Sequence, residues 1–293
     1  MPSSMVFRRR FAARGLGPTL YSHWTGPWVI VLIGCGVVGR ALLLALSALG
    51  CFDFILVDPK RYSAAHVAAG QCREQDVGQY KTEVLARVAR QHGCCATSVA
   101  RDIAQLGEGI FGPGVLLATA LDSLPAQLAA NQLARRMRLP LIRLNTAPTV
   151  DLMSVRVYAT HRADGVCVAC GLPRDTRRKT RPGHAAPVST YGCGPGSSGL
   201  LARMVACLGR SAIQALADSR SAAAPWWNSE LQLSLRKNAP VVSRLPHRNS
   251  CPTCHVPPWE NLVYCSPSAE SATLRQLIRA AVGHRQAWAR VRF

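Results

Sequence analysis

Residues 29–33 are apolar at every position, and the run stops at Gly34. A short, unbroken apolar run closed by a glycine is the pattern of a parallel strand covered on both faces. The apolar character resumes over residues 37–49 at helical length. Because Arg40 and the glycines interrupt it, residues 29–50 predict strand, turn and helix rather than a membrane span. Residues 54–57 predict a second strand that ends in Asp58. After an irregular stretch, residues 79–91 place Val84, Leu85, Val88 and Ala89 at helical spacing, and residues 97–100 predict a short strand. The alternation continues with strand 115–118, helix 124–137 and strand 139–144. Strands alternating with helices predict an α/β fold built on a doubly wound, mostly parallel, Rossmann-like sheet.

Past Thr149 the rhythm changes. Residues 153–160 alternate like a strand, 174–187 are polar, basic and interrupted by proline, 198–217 predict a helix, and 231–235 with 241–244 predict a hairpin. Four regions follow: a basic arm over 1–27, a nucleotide-binding half over 28–150, a crossover loop and zinc-containing half over 151–265, and a basic amphipathic tail over 266–293. No internal repeat is present.

Composition narrows the class. The chain has 293 residues, of which 48% are hydrophobic, enough for a substantial core. Its twelve cysteines are diluted over an α/β pattern without a secretory leader, which favours thiols and zinc in a reducing cytoplasm over a disulfide scaffold. The run Arg8-Arg9-Arg10-Phe11 is separated from any apolar segment by a polar stretch, so it is not read as an export signal. A net charge of +20 favours anionic partners, nucleic acid among them, or is simply a solvated arginine-rich surface. No basic motif interleaved with base-stacking aromatics supports nucleic acid.

Two motifs carry chemistry. Gly34, Gly36 and Gly39 form Gly-x-Gly-x-x-Gly between a predicted strand and helix, a turn whose backbone can approach a phosphate. Asp58, nineteen residues past Gly39, is placed for a ribose hydroxyl. An NAD-dependent oxidoreductase shares these features. It has no need of the second motif, Cys167-x-x-Cys170 with Cys251-x-x-Cys254, whose four thiolates suit a tetrahedral structural zinc. Nor does it need Asp76-Val77-Gly78-Gln79-Tyr80-Lys81 followed by Asp122. Attaching AMP to a carboxylate calls for a cation by the triphosphate and an acid to hold magnesium, and Lys81 and Asp122 are candidates for these roles. Helix-start lysine and helix-capping aspartate are their ordinary structural alternatives.

On Ile33-Gly34-Cys35-Gly36-Val37-Val38-Gly39, Val57-Asp58, Asp76-Val77-Gly78 with Lys81, Asp122 and the two cysteine pairs, the chain resembles the ThiF/MoeB/HesA family over roughly residues 28–260. That family shares its nucleotide-binding domain with ubiquitin-activating enzymes. The resemblance implies an enzyme that uses ATP and Mg2+ to adenylate the C-terminal glycine of a small ubiquitin-like or sulfur-carrier protein. It also implies a homodimer and, downstream, an acceptor or conjugating protein. Asp58 would bind the ribose, Lys81 the phosphates and Asp122 the magnesium.

The chain departs from the family pattern in three places. The usual Asn-x-x-Arg after the second strand is His66 and Ala69, so a phosphate-binding arginine is missing. A frequent extra loop glycine is Val37, and a second acid after the second strand is Lys60. Lys60, Arg61 or an arginine of the arm (Arg8, Arg9, Arg10, Arg14) can replace the lost charge. Alternatively the chain binds nucleotide silently and serves as a binding subunit or scaffold. Cys193, flanked by Gly192 and Gly194, lies about where the family's thiol-bearing members carry a catalytic cysteine. Trp226 and Trp227 suit either an interface or the core.

Overall fold

The computed structural model describes residues 28–106, 115–147, 151–161, 165–172, 199–217, 226–235, 240–248, 251 and 253–254. The chain divides into two units, Met1–Cys254 and His255–Phe293, and every described residue lies in the first. The predicted arm and tail, the arginines of the arm, Cys193 and His255 lie outside the described residues.

The elements follow the hydrophobic pattern closely. They are β1 Trp28–Ile33, α1 Val37–Ser47, β2 Phe52–Val57, α2 Ala64–Ala68, α3 Lys81–Gln91, β3 Ala96–Val99, β4 Val115–Thr119, α4 Leu124–Arg136, β5 Leu141–Ala147, β6 Leu152–Tyr158, α5 Gly199–Ala217, β7 Ser229–Ser234 and β8 Pro240–Arg244. All eight strands form one sheet in the order β3-β2-β1-β4-β5-β6-β7-β8. From β3 to β5 neighbouring strands are parallel, and from β5 to β8 they are antiparallel. The order runs outward from β1 in both directions, so β1 and β4 flank the point where the connections reverse. In open α/β sheets, ligands bind in the crevice beyond the carboxyl ends of strands at this switch.

Two apolar layers cover the sheet. One joins α1, α3 and α5 to Leu32, Phe54, Leu116, Leu144 and Val155; the other joins α4 and the cysteine-bearing segment to Val31, Ile55, Leu117 and Leu141. Strand β1 is sealed by both layers, which is why its sequence does not alternate. Helix α5 is long and apolar enough to cross a membrane, but Leu201, Val205, Ala212 and Ile213 bury its inner face in the first layer. Trp226 and Trp227 are half-buried and pack against the same layer.

The irregular stretch after β2 contains a short helix and a tight bracket. Tyr62 donates its N–H to the Gln79 carbonyl at 3.0 Å and accepts from Gly78 N–H at 2.9 Å, while Lys81 N–H reaches the Lys60 carbonyl at 3.0 Å. Gly78 makes the turn with φ of +82°, a region that side-chain-bearing residues avoid. Asp76 is buried, accepts the Arg73 N–H at 3.0 Å and pairs with Arg87. The Asp-Val-Gly motif is therefore structural: it folds the segment back so that Lys81 opens α3 beside the end of β2.

Candidate functional site

The glycine loop leaves the end of β1 at the switch point. Gly34 has φ of +94°, and a Cβ there would stand 2.4 Å from the Ala120 carbonyl oxygen. At Gly39 a Cβ would stand 1.9 Å from the Gly34 carbonyl oxygen, so the first turn of α1 rests directly on the loop. Gly36 is different. Its φ is −75° and a Cβ would meet nothing within 4 Å, so the protein's own packing has no need of glycine here. An open glycine at the start of a helix, where first-turn N–H groups lack intrahelical partners, is a cradle for an anion.

Asp58 closes the loop from below. Its Oδ2 accepts the Cys35 N–H and its Oδ1 the Lys60 N–H, each at 2.8 Å, and the carboxylate is almost fully buried. These two bonds fix the carboxylate plane and leave further lone pairs for a ligand hydroxyl. Cys35 N–H is thereby taken by Asp58. The Cys35 side chain is buried, and burial raises its thiol well above the usual range. It packs rather than reacts.

Lys81 is only 6% exposed, and its ammonium feels both Asp58 and Asp122. Burial lowers its pKa, and the two carboxylates oppose that shift. Its close partner is His66, with Lys81 Nζ 2.9 Å from His66 Nε2. The His66 ring is fixed at its other end, where Nδ1 accepts the Ser63 N–H at 3.0 Å. Ser63 Oγ stands 2.8 Å from the same ring nitrogen. Burial and the neighbouring Lys81 also lower the His66 pKa. Tyr62 walls the pair: its ring meets His66 edge-on with centroids 5.5 Å apart, and Lys81 Nζ lies 5.5 Å from its centroid.

Asp122, just beyond β4, is half-exposed and makes no hydrogen bond among the described residues. Gly34, Gly36, Gly39, Asp58, Lys81 and Asp122 thus converge at the carboxyl ends of β1, β2 and β4. Of the cations that can replace the missing arginine, Arg61 is turned aside, donating to the Gly78 carbonyl and stacking 3.6 Å over Tyr80. Lys60 is exposed and lies close enough to bias both Lys81 and His66.

The cysteine pairs meet beside α4. The Sγ atoms of Cys167, Cys170, Cys251 and Cys254 lie within 4.8 Å of one another and all four residues are buried. Individual separations are 3.9 Å (Cys167 to Cys170), 3.7 Å (Cys167 to Cys251) and 3.2 Å (Cys170 to Cys254). A tetrahedral zinc with Zn–S bonds of about 2.3 Å needs sulfurs roughly 3.8 Å apart, so the donor set and its geometry fit that ion. Hydrogen bonding to neighbouring sulfurs, Cys170 first, and burial push the Cys167 thiol up. Arg135 of α4 supports the cluster from behind, donating to the carbonyls of Cys254 at 2.9 Å and Thr160 at 3.3 Å.

Residues 27–254 match the ThiF family. Among solved structures, the fold is similar to that of E. coli MccB with ATP, with a TM-score of 0.61 and 16% identity over 78% of this chain and 66% of that one. It is similar also to E. coli MccB with MccA-N7isoASN (TM-score 0.61, 16% identity, 87% and 75% covered) and to PaaA (0.56, 15%, 84% and 84%). The chain spans about two thirds of the length of the first of these structures. At these identities the likeness is one of fold. No curated protein matches the chain in sequence.

Proposed function

The chain belongs to the ThiF family, and from that premise we propose that it is an ATP-dependent adenylyltransferase that activates the C-terminal carboxylate of a peptide or small carrier protein. The observation that carries this reading is the convergence of Asp58, Lys81 and Asp122 around an open Gly36 at the switch point of the sheet. In the proposed reaction a carboxylate oxygen bonds to the α-phosphorus of ATP, the bond to the β-phosphate oxygen breaks, and pyrophosphate leaves. Asp58 holds the ribose, α1 and Lys81 receive the phosphates, and Asp122 holds a magnesium ion. Bound there, Mg2+ would offset the charge that builds up on the leaving pyrophosphate. The structures of MccB with ATP and with MccA support a nucleotide and a small peptide as the two substrates. A ubiquitin-like or sulfur-carrier protein ending in glycine is the finer proposal, with thioester transfer to Cys193, an acceptor protein, a cytoplasmic setting and a homodimer belonging to it.

The reading is tested by pyrophosphate exchange into ATP, driven by whatever small protein co-purifies with the chain. Asp122→Ala should abolish exchange; exchange that persists removes Asp122 from the magnesium role. His66 and Ala69, in place of the usual Asn-x-x-Arg, favour one second reading, a nucleotide-binding member that serves as a scaffold. It predicts ATP binding with no exchange under any carrier. Binding of NAD in preference to ATP would overturn both.

A further inference from the structure

Strand β5 sits in the middle of the sheet, yet on one face it carries Leu141, Arg143 and Asn145. The strand register continues this polarity sideways. Ile33 of β1 pairs with Thr119 of β4, Thr119 with Arg143, Arg143 with Arg156 of β6, and Arg156 with Glu230 of β7. One row further along the strands, Asn145 pairs with Ser154 and Ser154 with Gln232. Paired residues share a face, so two polar rows lie across the sheet. Their charged part begins at Arg143, two strands or roughly 10 Å from Ile33, the residue before the glycine loop.

The charges on this ridge do not balance. Arg156 donates Nε–H to Glu230 at 2.7 Å, and Glu230 is buried, so that pair is complete. Arg143 stands directly opposite Arg156, a like-charge pairing that a sheet ordinarily avoids. Tyr158 bonds to the Arg143 guanidinium, but the Arg143 Nε is buried with no hydrogen-bond partner among the described residues. Two residues along, the Asn145 Oδ1 is likewise buried and without a partner among the described residues. A free donor on a cation and a free acceptor, on one face of one strand and about 7 Å apart, cost the unliganded fold stability and pay nothing back. The chemistry that satisfies both is an anion joined to an N–H group, as in a peptide that ends in a carboxylate.

Resting on the adenylyltransferase reading, we propose that Arg143 and Asn145 are the recognition site for the extended C-terminal segment of the peptide substrate. Arg143 Nε–H donates to a carboxylate of its last residues, and Asn145 Oδ1 accepts one of its backbone N–H groups. The carboxylate is either the terminal one or an acidic side chain. Arg143 pairs with Thr119, three residues before Asp122, so a peptide laid along the ridge approaches the phosphates from the β5 side.

The test uses the full chain and three pools of random octapeptides: one with free carboxyl termini, one amidated, and one amidated with Asp or Glu fixed at the last position. Peptides retained without ATP are counted by mass spectrometry. The wild-type chain should retain a carboxylate-bearing pool at least tenfold over the plain amidated pool. The free-terminus and fixed-acid pools tell which carboxylate is read. Arg143→Gln should remove the preference. Asn145→Asp, which supplies the missing anion within the protein, should remove it too and raise Tm. Arg143→Met should melt no lower than wild type, whereas an arginine kept for structure alone would cost stability on removal. No preference in the wild type, or a preference that survives both Arg143→Gln and Asn145→Asp, overturns the proposal. ATP titration of the wild type runs in parallel: failure to bind ATP sinks the adenylyltransferase reading while leaving the retention result to stand or fall separately.

Discussion

Replacing the three loop glycines one at a time by alanine should separate those the fold needs from the one a ligand needs. At Gly39 the new methyl would lie 1.9 Å from the Gly34 carbonyl oxygen. The backbone must open by more than 1 Å to reach an ordinary contact, since real Cβ contacts are essentially never under 3.0 Å. Overpacking of this severity costs about 3 kcal/mol. Alanine's better helix propensity returns about 1 kcal/mol. The net loss of about 2 kcal/mol lowers Tm by roughly 4–8 °C in a domain of this size. Gly34→Ala should be at least as damaging, because its φ of +94° adds strain to the 2.4 Å approach of the Ala120 carbonyl oxygen. Gly36→Ala meets nothing within 4 Å. There the loss of a glycine N-cap and the reduced entropy of the unfolded chain nearly cancel, to within about 0.5 kcal/mol. Its Tm should therefore stay within about 2 °C of wild type. ATP affinity should nevertheless fall tenfold or more, about 1.4 kcal/mol, as the methyl displaces the phosphates from the α1 terminus. Thermal melts and ATP titration on the three variants decide the matter. A Gly36→Ala protein that binds ATP like wild type, or melts with Gly39→Ala, refutes the assignment of Gly36 to the ligand.

Cys251→Ser should release zinc, measured by elemental analysis, and lower Tm, because an ion held by the four thiolates would tie the segment after β6 to the segment after β8. Arg135→Met should weaken zinc retention by about 10–100-fold, as loss of an orienting partner behind a metal site does. Lys81 is held below its usual pKa of 10.5 in the free protein. Phosphates restore its charge, so ATP binding should take up protons as pH rises through that lowered value. Titration calorimetry in buffers of different ionisation enthalpy reads the uptake, and Lys81→Met should erase it. His66 also has a lowered folded pKa. Between that value and the unfolded value of 6.5 the unfolded chain binds more protons, so stability rises with pH through this window and falls on acidification. His66→Asn should flatten the slope in a pH series of chemical melts.

The strands and helices of the doubly wound half were legible because burial leaves a one-dimensional trace. Runs such as 29–33 and 115–118 are apolar throughout because both faces of the central strands are covered. Element ends shifted by one to three residues where a half-buried position, such as Trp28 or Ala147, continues the ladder. The cysteine cluster was legible from spacing alone, since two residues between thiols fix their geometry before any tertiary contact forms. The short helix Ala64–Ala68 was not, because five residues carry no period and none of them is buried. Nor was the role of His66. As a sequence position it reads as a lost asparagine, and its bond to Lys81 exists only because Gly78 and Asp76 turn the segment back. Arg143 did leave a signal, a lone cation inside an apolar strand run, but its missing partner is a property of the register of β4, β5 and β6.

The changed Asn-x-x-Arg positions and the buried lysine bear on the same question, how the triphosphate is neutralised. With Ala69 in place of an arginine and Arg61 held by Gly78 and Tyr80, Lys81 is the one buried cation beside Asp58 and Asp122 among the described residues. Burial lowers the pKa of this lysine and an arriving anion raises it, so the ammonium is best stabilised when phosphates occupy the crevice. A protein that bound no anion here would have no use for a buried ammonium, since a methionine at 81 would pack against Tyr62 without one. An open Gly36 and an unbonded Asp122 beside such a lysine are therefore better explained by a polyanion that comes and goes with a divalent ion than by a vestige of the fold.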